Sequence, residues 1–104
     1  MGTLNFTVGS YAKSKGSGAA TIMSTDIITS DAFTTTTSAT NVEDASGDII
    51  MATGQVIRVY ADEDMWISFG STAATVGTGF HIPSLTPLEW ECATAGTVSV
   101  IDVA

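Results

Sequence analysis

Across residues 49–103, apolar side chains recur at every second position in short runs, each broken by Gly, Pro or a cluster of Ser, Thr and Asp. A period of two is the pleat of a strand with one buried face. In QVIRVYA, Gln55–Ala61, it sets Val56, Arg58 and Tyr60 on one face and Ile57 and Val59 on the other. In LEWECA, residues 88–93, it turns Leu88, Trp90 and Cys92 inward and Glu89 and Glu91 outward. MWISF at 65–69, FHI at 80–82 (stopped by Pro83) and TVSVIDV at 97–103 are further strands, and near the start Leu4, Phe6 and Val8 alternate with Asn5 and Thr7. No window carries a 3.6-residue apolar stripe. Strands at intervals of about 8–12 residues, with turn residues between them, predict an all-β fold, either an antiparallel β-sandwich (jelly-roll-like) or a small barrel.

A chain of 104 residues supports one core and is too short for two ordinary domains, so a single β domain over 1–104 is expected. Residues 49–104 carry its clearest strands. GSYAKSKGSG, residues 9–18, is rich in Gly and Ser, and residues 1–18 are read as an extended, flexible N-terminal arm. Residues 19–40 are expected to be extended chain with short strands, and NVEDASGD, 41–48, a turn-rich acidic link. TTTTSAT, 34–40, raises an ice-binding face, but such a face needs its motif on stacked rungs and this tract occurs once; an exposed strand or arm is the better reading.

Charge narrows the partners. Only Lys13, Lys15 and Arg58 oppose eleven acidic residues, a net charge of −8. Gripping phosphates requires several cations on one face, so neither nucleic acid nor an anionic membrane is expected as a partner. No run approaches the roughly 18–20 apolar residues of a membrane span, and MGTLNFTVGS lacks a charged and then apolar leader, so synthesis in a cytoplasm is expected. The single Cys92 makes no internal disulfide. Charged residues are 13% of the chain, against about a quarter in ordinary globular proteins. Abundant β-branched residues with so little charge defend strand edges poorly, which favours a partner that covers them.

The side chains that could carry chemistry have simpler readings. Asp62-Glu63-Asp64 lacks the alternate spacing, central Gly and distant Glu of a calcium loop, and a charged hairpin turn between Tyr60 and Met65 accounts for it. Glu89 and Glu91 lie about 7 Å apart by strand rise, within the range used in glycoside hydrolysis, but any i, i+2 pair on a strand shares that spacing. His81 is the only histidine, too few imidazoles for a cupin-type metal site, and is read as a surface or interface side chain or a pH-sensitive partner of Glu89. Cys92 faces inward, where thiols are inert. No phosphate loop or nucleophile elbow occurs, so no enzyme activity, no metal and no cofactor are expected. Trp66, Trp90, Tyr60, Tyr11 and Phe80 could stack sugars, although Trp90 fits the core pattern better; Trp66, Tyr60 and Tyr11 are open as interface anchors.

Residues 54–101 run in a recognisable order: Gly54-Gln55 opening the Val56-Ile57-Arg58-Val59 strand, a polar turn, Trp66-Ile67-Ser68-Phe69-Gly70, a loop of small residues, Ile82-Pro83, a strand carrying Trp90-Glu91, and Gly96 before Val98-Ser99-Val100-Ile101. This half of the chain resembles small virion structural proteins of tailed bacteriophages, similar in role to head decoration or cement proteins. Residues 1–48 carry no comparable pattern. The resemblance implies a virion protein of the capsid surface, made in the host cytoplasm. It also implies self-association, with a homotrimer expected, binding to the major capsid protein and no catalytic residues. Tyr11, Lys13, Lys15, Arg58, Tyr60 and Trp66 are the candidate interface residues. A carbohydrate-binding β-sandwich and a tail or head-fibre component are the alternatives.

Overall fold

The structure, a computed structural model, describes residues 2–11 and 23–103. Among these residues twelve strands follow in order: β1 (Thr3–Tyr11), β2 (Met23–Thr34), β3 (Thr40–Asn41), β4 (Glu43–Asp44), β5 (Gly47–Asp48), β6 (Ile50–Met51), β7 (Gln55–Ala61), β8 (Met65–Ser68), β9 (Phe80–Ile82), β10 (Leu88–Glu91), β11 (Gly96–Thr97) and β12 (Ser99–Asp102). Two four-stranded antiparallel sheets dominate, ordered β10-β7-β1-β2 and β3-β12-β8-β9, with two-stranded pairs β11-β6 and β4-β5 beside them. Each large sheet ends in two edge strands, so the fold is a sandwich and not the closed barrel that the strand pattern equally allowed.

The alternation read from the sequence decides what each sheet buries. Leu4, Phe6 and Val8 from β1 and Ile57, Val59 and Ala61 from β7 meet Met65, Ile67, Ile82 and Val100 of the other sheet in one core. Each fully buried Val, Leu or Ile is worth about 1.5–3 kcal/mol relative to exposure, so a one-residue slip of β7 against β1 would forfeit several such terms at once. The pairing is continuous from Leu4↔Ala61 to Ser10↔Gln55. Val56, which shares a face of β7 with Arg58 and Tyr60, is also fully buried, although it stands apart from the main core.

Two expectations are corrected. Residues 3–11 are not an arm: β1 is an interior strand, hydrogen-bonded to β7 on one side and β2 on the other. Gly9 and Ser10 read as loop by composition, but the ladder to Val56 and Gln55 supplies their backbone partners and overrides that preference. The rest of the expected arm, with Lys13 and Lys15, lies outside the described residues. The acidic stretch is not a hairpin turn either, since β7 and β8 belong to different sheets. Ala61 and Met65 are both fully buried, and the chain between them arches across the end of the core.

Candidate functional site

The arch uses its carboxylates as backbone caps. Asp62 Oδ1 accepts from the Thr3 amide at 2.8 Å, and Asp64 Oδ1 accepts from the Ser84 amide at 2.8 Å. The Asp62 amide donates to the Thr3 carbonyl and the Val103 amide to the Asp64 carbonyl. Asp62 thus ties the start of β1 to the arch, and Asp64 ties the Pro83-Ser84 turn to it. Among the described residues, no three His, Cys, Asp or Glu side chains gather as a metal ion would require.

A third carboxylate at this end escaped the sequence reading. Asp102 is 1% exposed; its Oδ1 accepts the Thr35 hydroxyl and its Oδ2 the Gly2 amide at 3.2 Å. The clue was its parity, since 98, 100 and 102 alternate together and Val98 and Val100 are core residues. Thr35, within the tract considered for ice binding, is fully buried, while Thr36 and Thr37 beside it are exposed. The tract carries the chain from one sheet to the other.

The candidate interface residues divide between two surfaces. Arg58 and Tyr60 project together from the outer face of the first sheet, beside Asn5, Thr7 and Ser30, where they border a shallow cleft. Arg58 lies opposite Glu89 in the β10–β7 register. Trp66 sits on the outer face of the second sheet, its ring 5.1 Å from His81 across the β8–β9 pair. His81 and Glu89 therefore belong to different sheets. Tyr11 closes β1 through its backbone; its side chain, like Lys13 and Lys15, is not among the described ones.

The aromatics do not form one platform. Tyr60 and Trp66 point away from the sandwich on opposite sides, whereas Phe80 and Trp90 turn toward each other at its open side, between edge strands β9 and β10. Phe69, which the sequence reading did not single out, completes a trio with ring centroids 5.4–5.9 Å apart and planes tilted by 39–60°. Phe80 is 49% exposed and Trp90 half-buried, so the trio closes the core and leaves ring surface to solvent. Beside it lies a cleft of about 300 Å³ whose remaining lining includes Ser68, Glu91 and Thr94. Gly79 positions the β9 side: its φ is +99°, and a Cβ there would stand 2.7 Å from the Ile67 carbonyl oxygen. Cys92, buried at the floor, donates its thiol hydrogen to the Thr94 carbonyl at 3.2 Å, and burial pushes its pKa up.

Comparison with protein-family models, with curated proteins and with solved structures yields no match to this chain.

Proposed function

We propose that this chain is a non-catalytic virion structural module, a decoration or cement protein that assembles as a homo-oligomer and adds to the outside of a tailed-bacteriophage head through the major capsid protein. The observation that carries self-association is the apolar surface left uncovered along one edge of the sandwich. β2 is a twelve-residue strand at the end of its sheet, and Ile27 and Ile28 on it are 63% and 54% exposed. Ile50, exposed by 72%, borders the same depression as Ile28. A long edge strand bearing large apolar side chains is a pairing surface. The order of elements in residues 54–101 supports placing that assembly on a phage head.

Sedimentation velocity on the purified chain, followed by co-sedimentation with heads that lack it, tests the reading. The expected result is a discrete oligomer that adds saturably to heads. Ile27→Asp and Ile28→Asp together should weaken assembly at least about tenfold while the protomer stays folded. A stable monomer that ignores heads would sink the proposal.

A further inference from the structure

Gly2 stands between two carboxylates in a tight space. A Cβ on it would lie 2.8 Å from Met65 Cε, 3.0 Å from Asp62 Oδ1 and 3.2 Å from the Thr35 hydroxyl oxygen. Its carbonyl accepts from the Thr35 amide at 2.8 Å, which holds the residue in place and aims its nitrogen at Asp102 Oδ2, 3.2 Å away. Gly2 is buried and Asp102 is 1% exposed, so little water reaches the contact. A main-chain amide brings one neutral N–H to that carboxylate. An α-ammonium at the same nitrogen brings three donors and a full positive charge, and a charge-assisted bond is about twice as strong as a neutral one. Dehydration of the ammonium is the opposing cost. Asp102 is already buried beside the amide, so its own desolvation adds nothing new, and Asp62 on the other flank attracts the same charge. The whole chain carries −8, a field that favours a cation here.

We propose that cleavage ahead of Gly2 makes it the mature N-terminus, and that its α-ammonium forms an ion pair with Asp102 which locks the start of β1 to the end of β12. The cleavage is hydrolysis by a peptidase: water adds across the peptide bond, the departing piece keeps the carboxylate, and the new α-amino group takes the proton. The pairing is the same whether a lone methionine or a longer segment stood ahead of Gly2, and methionine followed by glycine is a sequence on which such removal acts. β1 and β12 belong to different sheets, so processing would tighten the junction between them. This junction lies at the Thr34 end of β2, away from Ile27 and Ile28, so it is separable from self-association.

The test compares three forms of the full chain. One is released at Gly2 by a site-specific protease that accepts glycine after its cut. Another keeps Met1, isolated from cells whose methionine aminopeptidase is inhibited. The third carries an acetyl group on the Gly2 nitrogen, which restores a neutral amide there. In urea, the form with a free Gly2 amine should have an unfolding constant at least about tenfold smaller than either of the others. Asp102→Asn should erase that difference. In native buffer, peptide mapping should show the Gly2 amine reacting with an N-hydroxysuccinimide ester at least about tenfold more slowly than in urea. The intact mass of the chain purified from a bacterial cytoplasm should match a start at Gly2. Equal stability of the free and acetylated forms would overturn the ion pair even if Asp102→Asn did not fold, as would rapid native labelling of the amine. A difference that survives Asp102→Asn would belong to the chain end alone and overturn it too. Complete retention of Met1 would overturn the cleavage.

Discussion

The Thr35 hydroxyl donates to the buried carboxylate of Asp102, joining the end of β2 to the end of β12 across the two sheets. Gly2 completes the knot: its amide donates to the same carboxylate and its carbonyl accepts from the Thr35 amide at 2.8 Å. A buried acceptor removed from such donors leaves them unsatisfied, at about 1–3 kcal/mol each. Asp102→Ala should therefore destabilise the fold by about 3 kcal/mol and Thr35→Val by about 1–2 kcal/mol. Urea unfolding with an unchanged m-value checks both. A loss under 0.5 kcal/mol for Asp102→Ala would show that solvent replaces the carboxylate.

Asp44 fastens the β4–β5 hairpin to β2 by accepting the Thr29 hydroxyl at 2.6 Å. That bond first, and the Ser46 amide second, hold the Asp44 carboxyl below its ordinary value of 3.8. Because the folded pKa is the lower one, the contribution is fully present above 3.8 and is lost as pH falls through the folded value. Stability should then fall with acidification in that window, and Asp44→Asn should flatten this part of the profile. Thr29→Val should return the carboxyl toward 3.8, read by NMR titration of the side-chain carbon.

Gly79 and Gly47 both have positive φ, +99° and +115°, but only Gly79 is crowded. Gly47→Ala meets open space and pays backbone strain alone, about 1 kcal/mol. Gly79→Ala must also displace the Ile67 carbonyl, so it should cost about 2–3 kcal/mol and disturb the neighbouring Phe80. Thermal melts of the two variants, with near-UV circular dichroism for the aromatic trio, separate the cases.

Cys92 is 3% exposed, and its raised pKa keeps the thiol protonated at neutral pH. Iodoacetamide should label it at least about a hundredfold more slowly in the native chain than in urea. Labelling at the unfolded rate would mean that the cleft floor opens freely.

The strands beyond residue 54 were legible because their two-residue period coincides with burial. β7 and β9 fall on the expected residues, and Leu88, Trp90 and Cys92 turn toward the core as the alternation required. β1 was legible only as far as Val8. Gly9 and Ser10 have no side-chain preference for a strand, and only pairing with β7 extends it through them. The hairpin expected at Asp62-Glu63-Asp64 failed because alternation fixes which side of a strand is buried and not which sheet the next strand joins. A hairpin and an arch bury the same side chains in β7 and β8.

By itself, then, the sequence determined an all-β chain, the inward and outward faces of its clearest strands, and a field that favours cations, since period and charge are local or summed properties. Only the tertiary structure decided that β1 is interior, that Asp102 is enclosed with Thr35 and Gly2, and that Phe69, Phe80 and Trp90 share one cleft. These relations join residues 10 to 100 positions apart, and they exist only once two sheets have packed.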